Sequence, residues 1–498
     1  MKIKVRKKSY EEVLAIPPFP HKTPGRQSPF LRALVKTLSA GALKKVRFSY
    51  ETAPEAEALI RSDIPCLVLM NHSCFTDLEI AGTILSKKPY HIICTVDGFV
   101  GKDGLLRSLG CVPTKKFTSD PVLVRDMVHV VRELKESILM YPEASYTFDG
   151  TATPLPDSLG KLVRLLKVPV LMIETFGAFV HDPLYNNLQV RDVTVTAKVR
   201  VLVSAEEAGY CAAGAKSQTE GTAGAKSQTE GTAGEKNRTE GTAGPKPLGA
   251  PEINRRIREA FTFDGFKWQQ ENHVRIAEDF RADDLQRVLY KCPHCLTEGR
   301  MLGNGTKLLC TACGEEYELD EYGFLKRIRE GSKAAGKAAM KAAGGRKPGE
   351  GGAASTKQDG GTKAGSTFAH VPDWYAWERS EVRREIEDGS YRLTYPVRIL
   401  ALRDTSAVYE IGEGVLTHTP EGFHLTGCGG ALDYRQAPEA SYSLYADYFW
   451  YEIGDMICIG DSTIQFYCFP TPGENTGGSA IVAKARLAAE EMYKLGRR

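Results

Sequence analysis

The chain has 498 residues, of which 42% are hydrophobic and 26% charged, and its formal net charge is +3. That length exceeds what one hydrophobic core organises, so we expect several domains. No apolar run approaches the roughly 20 residues of a membrane-spanning helix, and the N-terminus has no apolar stretch like that of a secretory signal. We therefore expect neither an integral membrane protein nor a secreted one, and the eight singly scattered cysteines favour a reducing cytoplasm.

Residues 1–50 carry twelve basic and two acidic side chains, a local net charge near +10. Such an end suits an anionic membrane surface, a nucleic acid, or simply solubility. The stretch "FLRALVKTLSAGALKKVRF" has helical spacing, with basic residues off the apolar face. This pattern predicts a basic amphipathic segment that lies in a membrane interface or packs on its own domain. The apolar face comprises Leu31, Leu34, Val35, Leu38 and Ala42.

Residues 51–211 alternate short apolar runs with stretches of helical period. "CLVLM", "YHIICTV", "SILMYP" and "VPVLMIETFG" read as buried strands, and "DLEIAGTILSK" reads as a helix. This alternation predicts an α/β domain with a mostly parallel sheet and flanking helices.

Two segments have the composition of linkers. Residues 212–250 repeat "AGAKSQTEGT", and residues 331–366 are rich in Lys, Ala and Gly. Neither contains enough apolar side chains to offset the conformational entropy of folding. They separate a small domain at 251–330, with a helix and a cysteine cluster, from residues 367–498. The order of elements there predicts a β-rich domain with a terminal helix, similar to a pleckstrin-homology module.

The motif "LVLMNHSCFTD" places His72 where a strand ends, and Asp77 where a helix begins. Ligands bind at that edge of open α/β sheets. A histidine held by a carboxylate has a fixed tautomer, and its other nitrogen can take a proton from a hydroxyl group. No nucleophile accompanies the pair, so we interpret it as a catalytic site for acyl transfer to a substrate alcohol. A core histidine beside a helix-capping aspartate is the alternative.

Four motifs in order resemble those of the PlsC-like glycerolipid acyltransferases. Asn71, His72 and Asp77 fill the first, N-H-x4-D, and "RSLGCVPTKKF", "YPEASYTFDG" and "LLKVPVLMIETFGA" resemble the other three. The resemblance spans roughly residues 30–203. It implies catalytic roles for His72 and Asp77, and acyl-CoA or acyl carrier protein as the donor. It also implies a substrate-binding set, which comprises Asn71, Gly110, Pro113, Lys115, Lys116, Glu143 and Lys161.

The third motif departs from the family pattern F-P-E-G-T-R-S, because Ala144, Ser145 and Tyr146 replace Gly-Thr-Arg. The family's arginine is thought to contact the acceptor phosphate, and a neutral tyrosine cannot make that two-pronged contact. Either the acceptor carries no simple phosphate, or lysines supply the charge, namely Lys115, Lys116 or Lys161.

Two CxxC pairs, Cys292/Cys295 and Cys310/Cys313, are separated by fourteen residues. This spacing is typical of a zinc ribbon, in which four thiolates hold Zn²⁺. A four-thiolate site leaves no position for a substrate, so we expect a structural ion. The neighbouring sequence is acidic, so we do not expect a nucleic-acid partner.

The sequence thus predicts a cytoplasmic enzyme bound peripherally to the inner face of the membrane. Its expected reaction moves a fatty acyl group to a lysoglycerolipid, with 1-acylglycerol-3-phosphate as the family's default acceptor in phospholipid biosynthesis. The alternative is a catalytically decayed acyltransferase-like scaffold that acts through its zinc ribbon and its C-terminal domain.

Overall fold

The computed structural model describes residues 2–115, 120–211, 247–330, 367–441, 445–471 and 478–496. Lys116 and nearly all of the two predicted linkers lie outside these ranges. The chain begins with strand β1 (Val5–Lys7), helix α1 (Tyr10–Leu14) and helix α2 (Pro29–Lys45). Ser28 caps α2 by accepting a hydrogen bond from the backbone of Leu31.

The first sheet has seven strands in the order β2-β8-β7-β3-β6-β4-β5. All neighbouring pairs are parallel except β7 and β8. The predicted mostly parallel α/β domain is therefore observed. Its strands are β2 (Ser49–Thr52), β3 (Leu67–Met70), β4 (Tyr90–Thr95), β5 (Cys111–Thr114), β6 (Ser137–Met140), β7 (Val170–Phe176) and β8 (Thr196–Val203).

Helices cover both faces of this sheet. Successive residues of β3 point to opposite faces, so Val68 and Met70 join one apolar cluster while Leu67 and Leu69 join another. This explains why β3 reads as an uninterrupted apolar run. The helices of this part are α3 (Pro54–Arg61), α4 (Asp77–Ile84), α5 (Asp103–Ser108), α6 (Pro121–His129), α7 (Ser158–Leu166), α8 (Ala178–His181) and α9 (Ala205–Ala208).

The next part combines two helices with a four-stranded antiparallel meander. Helix α10 (Ala250–Ala260) packs against α7, and helix α11 (Gly265–Glu271) packs against α8. Of the four cysteines of the predicted ribbon, Cys292 and Cys295 precede the meander, and Cys310 and Cys313 lie at the end of β10 and in the turn that follows. Its strands are β9 (Met301–Asn304), β10 (Lys307–Cys310), β11 (Glu316–Leu319) and β12 (Leu325–Arg329).

The C-terminal part is β-rich and ends in a helix, as the sequence predicts. Helix α12 (Val371–Glu387) precedes an antiparallel sheet whose order is β16-β15-β14-β13-β19-β18-β17, and β1 pairs in parallel with β14. The strands are β13 (Leu393–Leu402), β14 (Val408–Thr419), β15 (Gly422–Gly427), β16 (Leu432–Gln436), β17 (Tyr445–Trp450), β18 (Gly454–Gly460) and β19 (Gln465–Pro470).

The last helix, α13 (Gly478–Leu495), is almost completely buried despite its charged residues. Each buried charge has a partner of opposite sign. Arg379 of α12 lies 2.6 Å from Glu490 and 3.2 Å from Glu491, and Arg486 lies 3.0 Å from Glu490. Pairing of this kind offsets the cost of removing charges from water. Helix α13 packs against α12 and against strands β17, β18 and β19.

Candidate functional site

The turn after β3 is folded around one carboxylate. Asp77 is fully buried, and its Oδ2 accepts hydrogen bonds from Nδ1 of His72 at 3.0 Å and from the backbone N–H groups of Ser73 and Cys74 at 2.7 and 3.1 Å. Since a carboxylate only accepts, the proton of the imidazole is assigned to Nδ1. Nε2 of His72 has no hydrogen-bond partner in the part of the chain that the structure describes, and the side chain is 16% exposed.

Asn71 fixes the start of this turn. Its Oδ1 accepts from the backbone N–H of Thr175 at 2.8 Å, and its Nδ2 donates to Ser73 and to the carbonyl of Thr175. Asn71 is fully buried, so its polar atoms join the ends of β3 and β7. The side chain of Asn71 therefore stabilises the backbone on which His72 is mounted.

Two tyrosines enclose the imidazole of His72, a feature that no local pattern in the sequence predicts. The ring of Tyr141 lies 4.1 Å from the imidazole centroid with an interplanar angle of 23°, and that of Tyr146 lies 4.0 Å away at 32°. The ring of Phe75, which is 45% exposed, lies 5.8 Å from that of Tyr146. Burial raises the pKa of each tyrosine well above the usual value for this side chain, so both tyrosines are neutral. Because the two rings cover the faces of the imidazole, a substrate can reach it along the edge that carries Nε2.

Glu143 lies beneath the same turn. It is 3% exposed, and it accepts hydrogen bonds from the backbone N–H of His72 at 2.9 Å and from the backbone N–H of Thr153 at 2.9 Å. Burial raises the pKa of Glu143 to about 7, although these hydrogen bonds oppose the change. The next residue, Ala144, has a φ of +59°, a conformation that favours glycine. The family motif has glycine at this place.

The residues of the second motif lie farther along the sheet. Gly110 has a φ of +86°, and a Cβ there would lie 2.8 Å from the carbonyl oxygen of Tyr90, so the close approach requires glycine. Pro113 belongs to β5, and Lys115 follows it. Strands β6 and β4 separate β5 from β3. Lys161 is exposed on α7, and Lys116 lies outside the described residues.

The C-terminal part borders the same edge of the sheet. The indole N–H of Trp450 donates to Asp97, just after β4, at 3.2 Å. Arg486 of α13 donates to the hydroxyl of Ser145 at 3.4 Å, and its guanidinium lies 3.8 Å from the ring centroid of Phe148. Both hydrogen bonds join residues more than 340 positions apart, so no local sequence signal predicts them.

The four ribbon cysteines converge. The sulfur atoms of Cys292 and Cys313 lie 3.8 Å apart, those of Cys295 and Cys310 lie 3.7 Å apart, and all four fall within 4.8 Å of one another. A tetrahedral zinc with Zn–S bonds of about 2.3 Å places its sulfur ligands about 3.8 Å apart. The residues present therefore fit a metal ion such as zinc.

Helices α12 and α13 contact the residues that flank the first CxxC pair of the ribbon. The indole N–H of Trp374 donates to the carbonyl of Lys291 at 3.0 Å, and Glu378 accepts from the backbone N–H of Lys291 at 2.7 Å. Lys484 of α13 lies 2.8 Å from Glu298. Helix α13 thus contacts the ribbon through Lys484 and the loop after β6 through Arg486.

Fold and site together define an α/β domain with a histidine–aspartate pair at the carboxyl edge of its sheet, arranged to take a proton from a hydroxyl group. Residues 50–173, about a quarter of the chain, match the model of the family described as Acyltransferase. This match agrees with the resemblance that the four motifs indicate for the same part of the chain.

Among solved structures, the chain is similar to the 1-acyl-sn-glycerophosphate (LPA) acyltransferase, PlsC, of Thermotoga maritima. The sequences are 15% identical, the TM-score is 0.27, and the alignment covers 34% of this chain and 68% of that one. No curated protein matches the chain at a significant level. In the ranges that the structure describes, no helix is long and apolar enough to cross a bilayer.

Proposed function

We propose that this protein transfers a fatty acyl group from the thioester of acyl-CoA or acyl carrier protein to the hydroxyl of a lysoglycerolipid, in phospholipid biosynthesis. The observation that carries the proposal is the geometry of His72. Its Nδ1 is held by the buried carboxylate of Asp77, and its Nε2 is the free, accessible nitrogen. The family resemblance implies 1-acylglycerol-3-phosphate as the acceptor, whereas the side chains around His72 favour a different head group.

In the proposed reaction, Nε2 of His72 takes the proton of the acceptor hydroxyl while the oxygen attacks the thioester carbonyl. Asp77 and the faces of Tyr141 and Tyr146 stabilise the imidazolium that forms. The tetrahedral intermediate collapses, the carbon–sulfur bond breaks, and the imidazolium returns its proton to the departing thiolate. Asn71 and Glu143 act as positioning residues, because they hold the backbone on either side of the histidine.

An acylation assay tests this function. Purified protein is incubated with labelled acyl-CoA or acyl carrier protein and a panel of lysoglycerolipids, beside the variant His72→Ala. We expect labelled diacyl product from the wild type and at least a 10³-fold lower rate from the variant. His424→Ala is a matched control, because His424 also contacts a carboxylate, Asp433, at 2.9 Å but lies on the C-terminal sheet. Absence of product across the panel, or equal rates for both histidine variants, would favour the decayed scaffold.

We also propose that the cysteine cluster holds one structural Zn²⁺. The sulfur separations of 3.7 and 3.8 Å and the burial of three of the four cysteines support it. The ion would replace the core that so short a meander lacks. For the C-terminal part, two meanders joined by the pairing of β13 with β19, followed by a helix, support the predicted pleckstrin-homology-like architecture.

The membrane surface is the partner that we propose for α2. This helix packs on α4, yet it leaves three large apolar side chains in solvent: Phe30, Leu34 and Leu38 are 74%, 41% and 69% exposed. They recur every fourth residue and therefore lie on one face. A cavity of about 610 Å³ near the end of the same helix is lined by cations, namely Lys36, Lys44 and Arg47. Apolar and basic groups together suit a bilayer interface that contains anionic lipid.

Sedimentation with vesicles tests this partner. We expect the wild type to bind phosphatidylglycerol vesicles more strongly than phosphatidylcholine vesicles, and the double variant Leu34→Asn/Leu38→Asn to lose most of that binding. Val190→Asn is the control, because Val190 is 66% exposed but lies outside α2. Equal loss of binding in the control would remove α2 as the contact surface.

A further inference from the structure

The imidazole of His72 lies in an aromatic enclosure rather than in a basic one. Tyr141 and Tyr146 cover its two faces at 4.1 and 4.0 Å, and Phe75 extends the aromatic surface toward solvent. An acceptor whose hydroxyl reaches Nε2 must therefore pass along these rings. The group next to that hydroxyl meets π faces, which are electron-rich and attract cations or uncharged groups rather than anions.

We infer, on the basis of the proposed acyl transfer, that the acceptor is a neutral or zwitterionic lysoglycerolipid without a phosphate monoester beside its reacting hydroxyl, and that Tyr146 determines this choice. Tyr146 stands where the family motif has the arginine that meets the acceptor phosphate. Its ring packs on the histidine, so the position contributes an uncharged surface where an arginine would contribute a paired set of N–H donors.

The charged groups packed behind the enclosure are predominantly acidic. Asp77 lies next to His72, Glu143 lies below it, and Asp182, bonded to His181 at 2.8 Å, is a further buried carboxyl near Cys74. The raised pKa of Tyr146 reflects burial first and then the negative charges of surrounding acids, Asp77 among them. A phosphate monoester carries almost two negative charges at neutral pH, so Asp77 would repel it, and Glu143, which is partly ionised at that pH, would add to the repulsion.

One cation does reach the loop of the third motif. Arg486 donates to the hydroxyl of Ser145 at 3.4 Å, but it is only 4% exposed. Its guanidinium lies 3.8 Å from the ring centroid of Phe148, and its charge is balanced by Glu490 at 3.0 Å. Arg486 therefore stabilises the loop and is too buried to contact a lipid. Lys115 follows β5, with two strands between it and β3. Lys115, one of the predicted lysine substitutes for the arginine, is therefore set apart from the strand that leads to His72.

The test compares three acceptors with identical acyl chains: monoacylglycerol, lysophosphatidylethanolamine and lysophosphatidate. With the full-length wild type we expect the better of the first two to be acylated at least tenfold faster, as kcat/KM, than lysophosphatidate. Tyr146→Arg should shift this ratio toward lysophosphatidate by at least tenfold, while Tyr146→Phe should keep the wild-type ratio. Thermal melting checks that both variants fold, and the wild-type ratio stands as evidence even if one does not.

The outcomes separate the inference from the function on which it rests. If lysophosphatidate is the best acceptor of the wild type, acyl transfer is established and the inference on acceptor class is overturned. Loss of that activity in Lys115→Gln, with an unchanged melting temperature, would then identify Lys115 as the phosphate contact. If none of the three acceptors is acylated and no other member of the panel is, both the proposed function and the inference fail.

Discussion

Replacement of Glu143 by glutamine should change how the stability of the protein depends on pH. Glu143 is buried and its pKa is raised from 4.5 to about 7. Below about pH 4.5 the side chain is protonated in both the folded and unfolded states. Between pH 4.5 and 7 the unfolded chain releases this proton while the folded chain retains it, so the stability associated with Glu143 decreases as the pH rises. An interval of about 2.5 pH units, at about 1.4 kcal/mol each, corresponds to about 3–4 kcal/mol.

Thermal or urea unfolding at several pH values between 5 and 8 measures this effect. The quantity compared is the free energy of unfolding of the wild type minus that of Glu143→Gln, which removes the contribution of all other titrating groups. We expect this difference to fall by about 3 kcal/mol as the pH rises, equivalent to roughly 6–12 °C in melting temperature for a domain of this size. Glu51→Gln, at an exposed position on β2, is the control and should give no such trend. A difference that stays constant, or that grows with pH, would mean that Glu143 ionises in the fold well below neutrality.

Three further changes test other parts of the site. Asp77→Asn should lower kcat by about 10⁴-fold, since an amide facing Nδ1 favours the tautomer in which Nε2 carries the proton; steady-state acylation kinetics measure it. Ala144→Gly should raise the free energy of unfolding by about 0.5–1 kcal/mol, because it relieves the positive φ, and urea unfolding measures this gain. Cys310→Ser should abolish the binding of one Zn²⁺ per chain and lower the melting temperature; metal analysis and calorimetry check both effects, and Cys211→Ser, at an exposed cysteine, should change neither.

The part of the site that sequence reasoning recovered is the part formed within one turn. The pairing of His72 with Asp77 depends only on a strand that ends at residue 70 and a helix that begins at residue 77. Both boundaries are visible as a change from a continuous apolar run to helical spacing. The parallel sheet and the C-terminal β-rich part were predictable for the same reason, because each strand has a local pattern.

The aromatic enclosure was not predictable in this way. The sequence shows that Tyr146 replaces an arginine, but its stacking on His72 depends on the backbone of the loop after β6, where Ala144 takes a positive φ. The pairing of β1 with β14, across 400 residues, leaves no periodic signal either. Contacts of this kind are set by packing of complete elements and not by local propensity.

The buried helix α13 contacts both the loop after β6 and the cysteine ribbon. Arg486 contacts the loop of Ser145 and Phe148, Lys484 reaches the ribbon through Glu298, and residues of the same helix belong to the apolar cluster that includes Phe148 and Cys310. A change in the position of α13 therefore alters two regions: the loop that carries Tyr146 and Glu143, and the cysteine cluster. Because the helix is held by buried ion pairs, removal of one partner leaves an uncompensated charge in the core and costs several kcal/mol, about 3–5 by the usual measure. Both the cysteine cluster and the β-rich part thus contact the helix that also contacts the loop of Tyr146 and Glu143.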